Sequence, residues 1–257
     1  MKEKGYVIFK SAIDLNLVNE VADKLEECYK IAREIQVKNE IGQVTDGTVA
    51  HVLAYNEPVF IELLSFLCRA EIFNFLKQFF NGNFIINGYG GLKNIRSKPS
   101  YVANIHRDIR FFSGDFPLML NLLIMLDDFT LENGATYLLA GSHTKPDKPV
   151  SEEFYAKADR AVGKRGDIVL FNSNLWHAAG TNNTDEERRA ITITFTKPFV
   201  KQHLDYPRAV GYEALEKMSL ELQQMIGYFS RTPVSLDEYY QKPEKRFYRP
   251  GQDYNII

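Results

Sequence analysis

Apolar residues first recur at helical spacing from Val18 through Val21, Leu25, Tyr29 and Ala32. That period predicts an amphipathic helix over residues 15–35. Asp14 stands where an N-cap would stand, and Ile13 and Val18 are spaced as a hydrophobic staple around it. Before it, Tyr6-Val7-Ile8-Phe9, inside the run Gly5 to Lys10, reads as a short strand. Residues 36–57 are polar, with Gly42 and Gly47, and read mostly as loop, with His51 to Tyr55 a candidate short strand. Pro58 suits the first turn of a helix. Two short helices are expected at about 58–67 and 70–80, closed by Asn81-Gly82.

At Phe84 the period changes from helical to extended. Phe84 to Leu92, Tyr101 to Phe112, Leu118 to Leu126, Ala135 to Leu139, Asp167 to Phe171, Leu175 to Ala179 and Ala190 to Lys197 read as strands. Gly, Pro, Asn and Asp punctuate them. So many strands without long helices between them predict an antiparallel sandwich or barrel rather than a Rossmann-type sheet. The long, charged loop at 144–163 has room for a short helix and is a candidate border of an active site. Beyond Pro198, Tyr212 to Ile226 reads as a helix ended by Gly227. The tail from Arg231 to Ile257, with Pro233, Pro243 and Pro250 among tyrosines, is expected to wrap over the core. The expected organisation is one domain, residues 1–257: helical support 1–82, a β core 83–198, and a helical, wrapping segment 199–257.

Composition narrows the partners. The 257 residues are 45% hydrophobic and 25% charged with a net charge of −2, which gives no reason to expect nucleic acid or an anionic membrane surface. No apolar run approaches the ~18 residues of a membrane span. Met1-Lys2-Glu3-Lys4-Gly5 leads into a strand, not into a signal-peptide core. Cys28 and Cys68 lack CxxC spacing and read as buried thiols in a reducing compartment, with a disulfide disfavoured. The expected setting is cytoplasmic and the expected partner a small molecule.

The chemistry concentrates in Asn104-Ile105-His106-Arg107-Asp108-Ile109-Arg110-Phe111-Phe112. In an extended strand, residues i and i+2 share a face. His106 and Asp108 would then point together, with Asn104 and Arg110 above and below them. A metal site built on this pair needs a third ligand from the five histidines of the chain. His51 and His203 have no carboxylate or histidine at i±2 and read as surface or satisfied side chains. His143 closes Leu139-Ala140-Gly141-Ser142-His143, where a structural role is favoured. His177 instead ends a turn, strand, connection and strand running from Gly166, which puts it on a rigid element. Its neighbour Trp176 should face the other way and pack. Two imidazoles and a carboxylate are the facial triad of non-haem Fe(II) oxygenases, leaving three adjacent positions for an oxidant and a co-substrate.

Farther on, Asn182 to Glu187 is a polar turn, and Arg188 or Arg189 then opens an apolar strand. An arginine leading into a core is costly unless it meets an anion, and a bidentate carboxylate would satisfy it. A surface pair capping the strand is the alternative.

The ordered set resembles the phytanoyl-CoA dioxygenase family of Fe(II)/2-oxoglutarate oxygenases. It comprises His106-Arg107-Asp108, Leu126-Asp127-Asp128-Phe129-Thr130-Leu131-Glu132-Asn133-Gly134, Gly141-Ser142-His143, Gly166-Asp167, His177, Asn182 and Arg188. The resemblance covers roughly residues 84–197, and the N-terminal start more loosely. It implies a mainly β fold with flanking helices around a double-stranded β-helix, the jelly-roll or cupin-like core. It also implies that His106, Asp108 and His177 bind iron and that Arg188 holds the distal carboxylate of 2-oxoglutarate. Asn121 falls on a strand, Asn121-Leu122-Leu123, that lines the co-substrate pocket in the family. O2 would be the oxidant, and hydroxylation of a small molecule with release of succinate and CO2 the reaction. Leu123 stands where the family often has tryptophan, and Ala140 where it has proline. Related halogenases replace the metal carboxylate with a small residue, so Asp108 favours hydroxylation or another oxidation.

Alternation chooses between the arginines. Arg188, Ala190, Thr192 and Thr194 share one face, with room for a five-carbon diacid; Arg189, Ile191, Ile193 and Phe195 share a packing face. Arg189 should then lie at the strand's outer edge with its stem on apolar surface. Arg110 and Asn104, on the expected face of Asp108, are candidate substrate contacts, with pairing to a carboxylate the alternative for Arg110. Two other classes remain open: a jelly-roll isomerase or hydrolase using zinc as a Lewis acid, and a non-catalytic ligand-binding sandwich.

Overall fold

The computed structural model describes residues 1–41, 47–96, 101–213 and 215–249. The N-terminal run forms strand β1 (Tyr6–Phe9) and helix α1 (Leu15–Lys38). Asp14 caps α1 by accepting from the Asn16 amide at 2.8 Å. Ile13 and Val18 are both buried there. Strand β2 (Thr48–Val49) follows, and then a 3-10 turn at Val52–Tyr55 where a short strand was expected. His51 and Asn56 bracket that turn in the left-handed region, φ 57° and 59°, which curls the chain. Helices α2 (Pro58–Arg69) and α3 (Glu71–Phe80) come next, and Asn81 stops α3 at φ 45°.

The strands that build the site are β3 (Ile85–Asn94), β4 (Met119–Met125), β5 (Tyr137–Leu138), β6 (Asp159–Arg160), β7 (Ile168–Asn172), β8 (His177–Ala178) and β9 (Arg188–Thr196). A six-stranded sheet runs β1-β7-β4-β9-β3-β2, and a three-stranded sheet runs β6-β5-β8. Every pairing is antiparallel. The N-terminal segment is therefore more than helical support: β1 and β2 supply both edges of the larger sheet.

Side-chain alternation divides that sheet into two faces. Leu120, Leu122, Ile124, Ile191, Ile193 and Phe195 pack with α1, α2 and α3 into the main core. Leu123, Met125, Val169, Phe171 and Ala190 face the smaller sheet, meeting Leu138, Phe129 and Leu175. The expected mainly β architecture with flanking helices is present. The expected strand from Tyr101 to Phe112 is not. Tyr101–Ala103 is a 3-10 turn, His106 makes a single antiparallel bridge to His177, and the chain turns again at Asp108.

Helix α4 (Ser151–Lys157) occupies the charged loop, as its length allowed. After β9 come α5 (Tyr206–Val210), absent from the sequence reading, and α6 (Leu220–Ile226). The expected single helix over Tyr212–Ile226 is interrupted because Ser219 caps α6, accepting from the Leu222 amide at 3.2 Å. Its end at Gly227 holds. The tail carries α7 (Leu236–Tyr239), then folds back so that Tyr248 bridges Ser230 antiparallel. Residues 250–257, part of the expected wrapping tail, lie outside the described residues. Cys28 and Cys68 are both free thiols. No helix among the described residues is long and apolar enough to cross a membrane.

Candidate metal centre

His106 and His177 sit directly opposite one another. The His106 amide donates to the His177 carbonyl at 3.0 Å, and the His177 amide to the His106 carbonyl at 2.9 Å. That single bridge brings the ring centroids to 4.2 Å. The turn after Arg107 then carries Asp108 back over both rings, with Oδ1 3.4 Å from His106 Nε2 and Oδ2 3.6 Å from His177 Nε2. The three groups present ligand atoms that all lie within 4.8 Å of one another. They are the only such cluster among the described residues. The expected trio is brought together, but by a bridge and a turn rather than by i, i+2 alternation.

Each imidazole is oriented through its far nitrogen. His106 Nδ1 lies 2.7 Å from the Asn104 carbonyl and His177 Nδ1 2.9 Å from the Leu175 carbonyl. A carbonyl only accepts, so each Nδ1 carries the proton and each Nε2 keeps its lone pair for an electrophile. Asp108 is oriented by Asn121, whose Nδ2 donates to Oδ2 at 2.6 Å and to Ser173 Oγ at 2.9 Å. Thr194 Oγ1 in turn donates to Asn121 Oδ1 at 2.9 Å, which fixes the amide. Burial pushes the Asp108 carboxyl up, but His177, His106 and Arg110 pull it down further, so it stays below its ordinary value. Burial pushes His177 below its ordinary value, and Asp108 offsets only part of this. These groups suit a hard or borderline divalent ion: two neutral nitrogen donors and one anionic oxygen, each held in place by its own hydrogen bonds.

A cavity of about 700 Å³ opens beside them. Its floor is β9, from which Arg188, Ala190, Thr192 and Thr194 face inward as alternation required. Arg189 turns to the other face, where it grips Asp127 through Nε at 3.0 Å, Nη2 at 2.7 Å and its own amide at 2.7 Å. It is thus a bidentate clamp, not only a stem on apolar surface. With Asp127 so occupied, Arg188 has no bonded carboxylate. Its guanidinium lies 4.0 Å over the Phe129 ring, and Nε and Nη1 are buried without a hydrogen-bond partner. Burial holds its pKa well below the ordinary arginine value. A buried cation with two orphan donors in a cavity wall is the chemistry of a carboxylate receptor. Asn182 knots the turn before it, donating to the Asn94 and Glu186 carbonyls at 2.8 Å each.

The remaining candidates fall out as follows. Asn121 lines the cavity but its amide is spent on Asp108, Ser173 and Thr194. Arg110 lines the cavity from an exposed turn position. Asn104 does not line it; its side chain is exposed, and its contribution is the carbonyl that orients His106. Alternation places both on one face of a strand, and that strand does not form. Leu123 does line the cavity. His143 packs against Gly5 with Nε2 3.2 Å from the Lys2 carbonyl, away from the cavity. Trp176 stacks on the Arg107 guanidinium at 4.2 Å.

Sequence reasoning missed His203, which lines the cavity. The signal is a bulge. The register of β3 slips between Ile86 and Gly88, and the His203 amide donates to the Asn87 carbonyl exposed there, at 3.1 Å. Phe129, the shelf under Arg188, was also missed as a site residue; nothing local marks its role.

The model of the phytanoyl-CoA dioxygenase (PhyH) family matches residues 1–190. The dioxygenase cdmA of Talaromyces verruculosus is 28% identical over 251 residues, 90% of this chain and 81% of that protein. The iron/alpha-ketoglutarate-dependent dioxygenase penM of Penicillium thymicola is 33% identical over 139 residues, 49% of this chain and 43% of that protein. In fold, the chain is similar to the non-heme alpha ketoglutarate dependent epimerase SnoN from nogalamycin biosynthesis. The TM-score is 0.58 at 19% identity, covering 76% of this chain and 79% of that one.

Proposed function

This chain belongs to the phytanoyl-CoA dioxygenase family, and we propose that it is an Fe(II)- and 2-oxoglutarate-dependent oxygenase that hydroxylates a C–H bond of a small-molecule metabolite. His106, Asp108 and His177 would hold Fe(II), and Arg188 the distal carboxylate of 2-oxoglutarate. The observation that carries this reading is the pairing, along one strand, of the ligand cluster and the orphaned arginine. Asn121, which holds Asp108, pairs with Thr194 in β9; Arg188 opens the same strand. Six residues of strand span ~20 Å. That is room for an arginine side chain and a five-carbon diacid laid end to end before the ligand cluster is reached.

When bound, the iron supplies the coupled chemistry: 2-oxoglutarate and O2 are consumed, succinate and CO2 are released, and one oxygen atom enters the substrate. The chain supplies binding and order. Asp108 offsets half the ion's charge and leaves it attractive to an anionic chelator. Arg188 would set the direction of the diacid, because a carboxylate at that end satisfies both of its orphan donors and its charge. Leu123, Phe171 and Ala190 line the intervening wall and keep it apolar, which excludes water from the reacting atoms. Leucine at 123 leaves more room than the tryptophan common in the family.

The test is succinate formation by the purified protein with Fe(II), 2-oxoglutarate, 18O2 and a metabolite panel. Succinate that requires both Fe(II) and a panel member, with 18O in the product, is expected. Product formed with zinc and without O2 consumption would instead support the Lewis-acid alternative.

A further inference from the structure

Arg110 is a non-glycine residue in the left-handed region, at φ 63°. A long side chain is rarely found there, and such strain persists only where surrounding structure imposes it. The imposing structure is visible. The Ile109 amide donates to the Ser173 carbonyl at 3.5 Å, and the Ser173 amide to the Met119 carbonyl at 3.4 Å. These bonds pin the turn to the Met119 end of β4, which pairs with Thr196 of β9, far from Arg188. Arg110 thus lies at the opposite end of the cavity from the diacid receptor, close enough to Asp108 and His106 for its charge to act on both.

Among the described residues, no carboxylate forms an ion pair with Arg110 within 4.0 Å, although its charge acts on Asp108. Among the cations lining the cavity, Lys93 is held by Glu26 at 2.5 Å and Glu187 at 3.1 Å. Resting on the proposed function, Asp108, the diacid and Arg188 together cancel the charge of the divalent ion, so Arg110 remains as an unbalanced cation beside it. His203 also lines the cavity, standing over Gly88 on the β3 wall. A Cβ added at Gly88 would sit 3.7 Å from His203 Nδ1 and 3.9 Å from Thr194, so the missing side chain leaves open volume at this end. Ile109 and Met119 make the rest of the wall apolar.

We propose that the space between Arg110 and His203 is the substrate subsite, and that it takes an apolar metabolite bearing one oxyanion group, a carboxylate or phosphate ester, held by Arg110. The strained turn sets the guanidinium at the rim, so the anion anchors one end of the substrate while its apolar body extends toward the ligand cluster. A neutral analogue would leave the cation beside a divalent ion with no compensation.

The experiment is calorimetric titration with matched probes: decanoate, decyl phosphate and decanol, and 1-naphthoate with 1-naphthalenemethanol. It is run on the protein loaded with Fe(II) and 2-oxoglutarate without O2, and again without metal. The acids should bind about tenfold or more tighter than their neutral partners, as expected for a charge-assisted contact. Decanoate against decyl phosphate decides which oxyanion is preferred. Arg110→Gly, which accepts the positive φ without strain, should abolish the preference, and Arg110→Lys should keep part of it. Gly88→Leu should weaken every probe and leave 2-oxoglutarate binding unchanged. No acid preference in the unaltered protein, or a preference that survives Arg110→Gly, overturns the proposal. Failure of the Fe(II)–2-oxoglutarate complex to form overturns the functional reading instead; the metal-free titration still decides the role of Arg110.

Discussion

Asn121 Nδ2 donates to Asp108 Oδ2 at 2.6 Å, while its Oδ1 is held by Thr194 at 2.9 Å. A side-chain amide from β4 thereby locks the carboxylate to the same level of β9 that floors the cavity. The amide acts as a positioning group. Asn121→Ala should weaken Fe(II) binding by about 10–100-fold, the usual cost of losing a partner of a metal ligand. Competition with a metal-binding dye, alongside the thermal unfolding midpoint, checks it; unchanged affinity in a folded variant would remove Asn121 from the site.

Arg188 and Arg189 are adjacent in sequence and opposite in role. Arg188→Ala should raise the KM for 2-oxoglutarate by one to two orders of magnitude, since a charged hydrogen bond contributes about 1.5–3 kcal/mol. Arg189→Ala should leave that KM nearly unchanged. It should instead lower stability by about 1–3 kcal/mol, because Asp127 would be left half-buried without its clamp. Steady-state kinetics and denaturant unfolding separate the two; the reverse pattern would mean the register of β9 is read one residue out.

Asp167 links the start of β7 to the N-terminal segment. It accepts from the Ser11 amide at 2.8 Å, the Lys164 amide at 2.9 Å and Lys10 Nζ at 2.8 Å. Burial pushes its carboxyl up, but these bonds and the Lys10 charge hold it below the ordinary value of 3.8. A depressed folded pKa adds stability above the unfolded value, and that stability is lost as pH falls through the folded value. The unfolding free energy should therefore fall as pH drops below about 4. Asp167→Asn should be less stable at neutral pH and show a shallower acid loss. Equal acid slopes in urea titrations of both proteins would contradict this.

Much of this was legible in the chain, for reasons that differ by element. The cluster of His106, Asp108 and His177 could be found because only His177, among the histidines away from His106, lies in a strand, where it opens β8 opposite His106. Arg188 could be told from Arg189 because β9 pairs residue by residue from Arg188 to Ile193 with β3 and from Ala190 to Thr196 with β4, so alternation holds through the arginines. The segment around His106 was misread because alternating apolar and polar residues also fit a chain that touches a strand once and then turns. Asn104 and Arg110 lost their shared face with it. His203 was invisible for another reason: its place depends on a bulge at Asn87 more than a hundred residues earlier.

The most direct measurement is the visible charge-transfer absorption of the protein titrated anaerobically with Fe(II) and then 2-oxoglutarate, which requires the keto acid to chelate iron in a protein site. The unaltered protein should develop the band with one iron per chain, and His143→Ala should develop it as well, since His143 lies on the Lys2 carbonyl outside the cavity. Asp108→Ala and His177→Ala should each lose it. A full-strength band in Asp108→Ala, or its loss in a folded His143→Ala, would contradict the assignment of His106, Asp108 and His177 as the iron ligands.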